Sequence, residues 1–324
     1  MRGWAFRNGL RSTLLQCPAR PRDLRTRPTQ PEVDHESTSG GHREHVEVVM
    51  AAIMKDAKEK DGRLADGALD TAKVPSVVDR ATWQTELDAL RVREKAHTHE
   101  GAVIAAARRR MPMVEVDANL QLVGPHGPVT LRQTFEGRRQ LIAWYFMWNT
   151  GRPAAEQCEG CTYYTSQLQE LSYLHSRDVT YATFCLGPYE ESARYREFMG
   201  WQQPWYSAEG AAAALHAGPH FSLAFYVREG DRVFETFRTT GRGVEAMCPS
   251  YGLLDMTVYG RQEAWEDSPE GWPRFNGHPY RSNELGTAVK GFAGRAIAQW
   301  PRLEAGRSDD LGTGAAGRPS RGRP

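Results

Sequence analysis

The longest uninterrupted apolar stretch of the chain covers residues 141–148. A stretch of this length without a polar residue is typical of a strand that is covered on both faces, as in the parallel sheets of α/β proteins. It has less than half of the length that a membrane-spanning helix requires. We therefore predict a buried central strand and a soluble protein that does not bind a membrane.

The chain after this strand alternates between helix and strand patterns. The predicted elements are, in order, a loop over 149–157, a helix over 162–175, a strand over 179–186, a helix over 188–199, a hairpin over 222–238 and a helix over 251–258. The two strands and the helix between them form a β-α-β unit, whose crossover is expected to be right-handed.

A helix and a hairpin are predicted before the central strand. Asp79 has the residue type of a helix N-cap, and the apolar positions over 83–90 follow it at helical spacing. Alternating patterns over 113–117 and 120–123, followed by a turn over 124–127, predict a hairpin-like element. The fold class that we expect is therefore α/β, with a central mixed sheet flanked by helices and with an N-terminal helix and hairpin extension.

The two ends of the chain differ in composition from the middle. Residues 1–74 are rich in Arg, Pro, Thr, Gly and Asp, and residues 281–324 are rich in Gly, Arg, Ser and Pro, without a sustained apolar period. We predict a disordered N-terminal extension over 1–74, one domain over 75–280, and a mostly disordered, dispensable tail over 281–324. The first thirty residues hold seven arginines and one acidic residue; we favour an untranslated or disordered extension there over a mitochondrial-type transit peptide, which is the alternative.

Charge and cysteine content narrow the partners and the compartment. A formal net charge of +1 creates no global field that would attract nucleic acid, so we expect no nucleic-acid partner. Five cysteines are an odd and low number for 324 residues, which argues against a disulfide framework and for a reducing compartment. We therefore expect a cytoplasmic protein, and the sequence leaves its oligomeric state open.

The motif Cys158-Glu159-Gly160-Cys161 lies between the buried strand and an amphipathic helix. A helix N-terminus offers unpaired N–H groups and positive dipole charge, which favour a thiolate. Cys158, at the loop edge, is expected to attack a substrate disulfide, and Cys161, in the first helical turn, to resolve the mixed disulfide. Glu159 disfavours the thiolate slightly by its charge. The pattern predicts a thiol–disulfide oxidoreductase with a redox-active disulfide.

Several further segments resemble the corresponding segments of one known family. They are DRATW at 79–83, RMPMV at 110–114, FEGRRQL at 135–141, MGW at 199–201 with PW at 204–205, REGDRVF at 228–234, and YGRQE at 259–263 with WE at 265–266. Together with the cysteine motif, over about residues 74–280, they resemble the domain of unknown function 899 family. That resemblance implies a thioredoxin-like fold and a dithiol–disulfide oxidoreductase activity. The usual insert of the family between the cysteines is Pro-Ser, so Glu159-Gly160 departs from it and leaves the redox potential open.

A zinc site is an alternative interpretation of the cysteine pair. His216 and His220 have an H-x3-H spacing and would complete a Cys2His2 set with Cys158 and Cys161. The sequence separation is far longer than in compact zinc fingers. In thioredoxin-like folds, however, the loop before the third core strand passes beside the cysteine pair, which would bring the four residues together.

Three residues are candidates for contact with a substrate. Pro219 resembles the cis-proline that thioredoxin-like proteins place opposite the cysteines, with an ordinary loop proline as the alternative. His220 would raise the thiolate fraction of a nearby cysteine by its charge. Trp148 ends the central strand, although tryptophans at the density found here more commonly pack in the core.

Two other functions and the partners complete the sequence-based expectations. A peroxiredoxin-like peroxidase would need a Thr where Ala155 stands, and a redox-sensing module would keep the cysteine pair without turnover. No Gly-rich phosphate loop of a common spacing is present, so we expect no organic cofactor. The expected partners are protein or small-molecule thiols and disulfides.

Overall fold

One sheet of eight strands runs through the part of the chain that the computed structural model describes, which is residues 73–263, 265–273 and 296–313. The strands are β1 (Val114–Val116), β2 (Gln121–Gly124), β3 (Gly127–Thr130), β4 (Gln140–Phe146), β5 (Val179–Cys185), β6 (Trp205–Ser207), β7 (Ser222–Glu229) and β8 (Arg232–Thr240). Their order across the sheet is β1-β8-β7-β4-β5-β6-β2-β3. The extension predicted for residues 1–74 lies almost wholly outside the described residues.

Six α-helices accompany the sheet in the described residues. They are α1 (Arg80–Arg108), α2 (Glu159–Gln167), α3 (Ser172–His175), α4 (Tyr189–Met199), α5 (Pro249–Leu254) and α6 (Trp300–Glu304). Short 3-10 turns cover Gln133–Phe135, Ala154–Glu156, Glu209–Ala211, Gly241–Met247 and Ile297–Gln299.

The middle of the sheet has the thioredoxin-like arrangement. Strand β4 is parallel to β5, where Ala143 faces Ala182, and antiparallel to β7, where Ala143 faces Ala224. Strand β8 continues the sheet next to β7. Across the sheet these four strands lie in the order β8, β7, β4 and β5, which are fourth, third, first and second in chain order, and α2 is the first α-helix after β4. The expected fold class is confirmed.

Strand β4 is buried on both faces, as its apolar sequence predicts. Successive side chains point to opposite faces of a strand, and Trp144 and Phe146 join one core cluster while Ala143 and Tyr145 join the other. All four are fully buried. The first cluster holds the apolar sides of α2 and α4. The second is covered by the turns Gln133–Phe135 and Glu209–Ala211, which contribute Phe135 and Ala211.

The N-terminal strands differ from the predicted hairpin. The hairpin is formed by β2 and β3, which pair across the turn after Gly124 at one edge of the sheet. Strand β1 instead pairs with β8 at the opposite edge, where Val114 faces Glu235. Short strand β6, which no pattern in the sequence predicts, separates β5 from the hairpin.

Helix α1 begins where the sequence predicts, because the side chain of Asp79 accepts the backbone N–H of Thr82 at 2.8 Å. None of its 29 residues is buried, and Trp83 and Leu90 on its apolar positions keep 43% and 48% of their surface exposed. In the described part of the chain, neither this helix nor any other has the length and apolar character for crossing a membrane.

The helix predicted over 162–175 is interrupted. Helix α2 ends at Gln167 because Leu168 takes an extended conformation, and the side-chain amide of Gln169 donates to the carbonyls of Thr165 and Ser166. These donations satisfy carbonyls that a continuing helix would have bonded. The last predicted helix, over 251–258, is instead α5, which starts two residues earlier and is shorter.

Residues 296–313 pack against the domain, although the composition of 281–324 predicts a mostly disordered tail. Ala296 and Leu311 are buried. Arg302 donates to the carbonyl of Met199 at 3.0 Å, and Arg307 donates to that of Phe198 at 3.0 Å. The last carbonyls of α4 lack partners within the helix. Arg302 and Arg307, which in the sequence belong to the predicted tail, therefore cap the C-terminal end of this helix.

Candidate active site

The two cysteines of the motif lie at the N-terminus of α2, after the loop that leaves the carboxyl end of β4. Cys158 is the N-cap, and its Sγ accepts the backbone N–H of Cys161 at 3.3 Å. The two Sγ atoms are 2.6 Å apart. The sequence-based placement of both residues, one at the loop edge and one in the first helical turn, agrees with the structure, and the pair is close enough for a disulfide to form.

Burial and hydrogen bonding make the two thiols unequal. Cys161 is fully buried, and its sulfur accepts the backbone N–H of Met147 at 3.4 Å, whereas Cys158 is only partly buried. The hydrogen bond from the thiol of Cys161 lowers the pKa of Cys158, against opposing contributions from burial and from the charge of Glu159. Burial raises the pKa of Cys161. The accessible sulfur is therefore the one that ionises first.

Buried Gln157 organises the loop before the motif. Its side-chain oxygen accepts the backbone N–H of Asn149 at 3.0 Å, and its amide donates to the carbonyls of Asn149 and Arg152 at 3.0 and 2.9 Å. These three bonds close the loop into a ring directly next to Cys158. In the sequence this residue belongs to the predicted loop over 149–157, and a lone glutamine carries no pattern of its own.

Trp148 packs against the same core cluster as Cys158 and is partly exposed, in contrast to Trp144, Trp201 and Trp205, which are buried in the core. Its indole N–H donates to Glu191 at 3.0 Å, and the same carboxylate accepts the backbone N–H of Gly151. Core packing thus accounts for Trp144, Trp201 and Trp205. Trp148 stays a prediction as a substrate-contact residue.

Tyr195 of α4 faces the motif, and no motif or spacing in the sequence points to it. Tyr195 is fully buried, and its hydroxyl lies 2.8 Å from Oγ1 of Thr162 and 2.7 Å from the amide nitrogen of Gln299. Burial raises its pKa, and charges on Cys158 and Cys161 would raise it further. Its only sequence signal is its position on the apolar face of α4.

The loop that precedes β7 contains three candidate residues, and its two histidines do not form a ligand set with the cysteines. His216, Pro219 and His220 are all exposed, and every peptide bond among the described residues is trans, so Pro219 does not have the expected cis form. The described residues contain no group of three or more His, Cys, Asp or Glu side chains arranged for a metal. The four residues of the Cys2His2 alternative are therefore not assembled as a ligand set in the part of the chain that the structure describes.

The two other buried thiols have raised pKa values, and residue 155, where a peroxidase would need a Thr, is an alanine. Burial raises the pKa of Cys185 to about 12. Cys248 donates to the hydroxyl of Tyr163 at 3.0 Å, and burial also raises its pKa. Ala155 lies in the turn Ala154–Glu156, where its methyl group supplies no hydroxyl to a peroxide.

The sequence model of a family described as "Bacterial protein of unknown function (DUF899)" matches residues 72–278. This match covers more than half of the chain. The chain belongs to this family. The match includes α1, the whole sheet and the cysteine motif, and it ends before the segment 296–313 that carries Gln299. No curated protein matches the DUF899 chain.

Solved structures similar to this DUF899 chain include redox proteins. Peroxiredoxin Q of Xanthomonas campestris, in one of its structures, is 13% identical, covers 44% of this chain and 94% of its own, and gives a TM-score of 0.31. Thioredoxin from Wuchereria bancrofti is 15% identical over 42% of this chain and 90% of its own, with a TM-score of 0.29. A thioredoxin-like protein from Aeropyrum pernix is 15% identical over 48% and 98%, with a TM-score of 0.27.

Proposed function

We propose that this DUF899 protein is a thiol–disulfide oxidoreductase in which Cys158 attacks and Cys161 resolves. The observation that carries the proposal is the inequality of the two sulfurs. The partly accessible Cys158 has a lowered pKa and the buried Cys161 a raised one, although they lie 2.6 Å apart. The attacking cysteine must be accessible to its substrate and ionised, whereas the resolving cysteine must lie next to the attacking one and stay protonated until the mixed disulfide has formed.

The proposed cycle moves two electrons. The Cys158 thiolate attacks one sulfur of a substrate disulfide, forming a mixed disulfide and expelling the first substrate thiolate, which takes a proton. Cys161 then loses its proton and attacks Cys158, so that the Cys158–Cys161 disulfide forms and the second substrate thiol leaves. The protein dithiol is oxidised and the substrate disulfide is reduced. Another thiol protein or a small thiol then returns the pair to the dithiol form, and no cofactor takes part.

The experiment is reduction of insulin by the full-length protein with dithiothreitol as electron donor. Turbidity from released insulin chains should rise faster than with dithiothreitol alone, and Cys158→Ser should return the rate to that background. Cys161→Ser should accumulate a mixed disulfide through Cys158, visible by mass spectrometry. Cys248→Ser, which changes a buried thiol outside the motif, is the matched control and should retain the wild-type rate.

Other outcomes separate the alternatives. A pair that forms its disulfide but never accelerates insulin reduction would support a redox sensor and contradict the proposal. Consumption of hydrogen peroxide without insulin reduction would favour a peroxidase. Stoichiometric zinc in the purified protein, lost in Cys158→Ser, would replace redox chemistry by metal binding.

A further inference from the structure

The segment 296–313 inserts a buried glutamine beside the cysteine motif. Gln299 keeps 2% of its surface exposed, although it lies in the predicted tail of 281–324 and outside the family match. Both protons of its side-chain amide are used, because its nitrogen donates to the carbonyl of Ala154 at 3.0 Å and to the hydroxyl of Tyr195 at 2.7 Å. One side chain therefore joins the loop before the motif to helix α4.

The hydrogen bonds continue in one direction from Gln299 to the backbone of Cys158. Thr162 donates its hydroxyl proton to the carbonyl of Cys158 at 2.8 Å, so its Oγ1 must accept the proton of Tyr195, which is 2.8 Å away. The hydroxyl of Tyr195 is then free to accept from Gln299. Every donor in this chain points toward Cys158, and consecutive hydrogen bonds of this kind polarise one another.

All three side chains of this hydrogen-bond chain are buried, which makes the arrangement costly to break. Thr162 and Tyr195 are fully buried, and no water replaces a lost partner there without entering the core. Burial raises the pKa of Tyr195, so its hydroxyl keeps the proton that it donates to Thr162. The hydrogen-bond chain thus remains intact over the pH range in which the Cys158 thiolate forms.

We propose that Gln299 is a positioning residue for Cys158, acting through the hydrogen-bond chain Gln299–Tyr195–Thr162. Gln299 holds the turn before the motif by its hydrogen bond to Ala154. It also holds the first turn of α2 through the hydrogen-bond chain, so that the thiol of the N-cap residue Cys158 stays aligned with the backbone N–H of Cys161. The inference rests on the proposed function only in taking Cys158 as the reacting thiol. It gives the segment 296–313 a role in the reactivity of the site in addition to its packing.

The test is the pH dependence of alkylation of Cys158 by iodoacetamide in the reduced, full-length protein, followed at the Cys158 peptide by mass spectrometry. Gln299→Met preserves side-chain length and removes both donors. Tyr195→Phe breaks the same chain from inside the domain and serves if Gln299→Met does not fold. Arg307→Met is the matched control, because it removes a hydrogen bond from the same segment to the carbonyl of Phe198 without touching the chain.

We expect alkylation at pH 6 to slow by about threefold to tenfold in Gln299→Met and in Tyr195→Phe, since one pKa unit changes the thiolate fraction about tenfold. The double variant should be no slower than the slower single variant, because both changes break one chain. An unchanged profile in Gln299→Met, an equal loss in Arg307→Met, or multiplying effects in the double variant would overturn the proposal. Alkylation needs no turnover, so a protein that fails to reduce insulin contradicts only the proposed function.

Discussion

The indole of Trp148 lies directly against the α-carbon of Gly187. A Cβ added to Gly187 would stand 2.7 Å from Cβ of Trp148 and closer still to its ring. We therefore expect Gly187→Ala to push the indole from its hydrogen bond with Glu191 and to lower the free energy of unfolding by about 1–3 kcal/mol in urea denaturation. Gly210→Ala, at a site with no heavy atom within 4 Å of the added Cβ, should be near neutral; equal losses in both variants would refute this packing argument.

Gln157 provides a second test of how the site is held. Gln157→Met keeps the length of the side chain and leaves three backbone groups of the loop without their partner, so we expect a loss of about 2 kcal/mol in unfolding free energy. Insulin reduction should fall as well, because the next residue is Cys158. Gln169→Met is the control, since its amide also donates to two carbonyls but is exposed to water. A larger loss in the control would contradict the interpretation.

The parts of the fold that the sequence predicted are those determined locally. The apolar residues of β4 specify a buried strand without reference to any partner, and Asp79 and Cys158 specify helix starts by their own side chains. Strand β1 shows the limit of local patterns. Its residues alternate as a strand should, but Val114 pairs with Glu235, and no local signal says which sheet edge a strand joins.

In the candidate site, too, the local sequence predicts some residues, whereas others depend on distant contacts. The positions of Cys158 and Cys161 follow from the motif and the helix that carries it. Gln299 could not be found, because its partners Ala154 and Tyr195 lie more than one hundred residues away in the sequence and its own surroundings resemble a tail. The spacing of His216 and His220 and the fold analogy predict a place beside the cysteines, but the loop exposes both histidines to solvent.

The opposite face of the sheet holds a buried pair of tyrosines that should matter for stability alone. The hydroxyls of Tyr145 and Tyr226 are 2.8 Å apart, and Arg238 donates to the hydroxyl of Tyr226 at 3.2 Å. Tyr226→Phe removes a hydrogen-bond partner from Tyr145 and from Arg238, so we expect the unfolding free energy to fall by about 1–2 kcal/mol. Tyr173→Phe, at a side chain that is 70% exposed, should change little. Insulin reduction at low temperature should be equal in both variants, and a selective loss in Tyr226→Phe would link this face to the site.

The cysteines should react with iodoacetamide in an order that their surroundings determine. Cys158 is partly accessible with a lowered pKa, so its rate should rise with pH through a pKa below that of an ordinary thiol and level off above it. Cys161, Cys185 and Cys248 are buried with raised pKa values, so their rates should stay low at neutral pH. Peptide mapping by mass spectrometry after brief alkylation at pH 7 measures all four sites in one sample. In 6 M guanidinium chloride the four rates should converge, which separates the effect of the fold from that of local sequence. Preferential alkylation of Cys161 in the native protein would reverse the assigned roles.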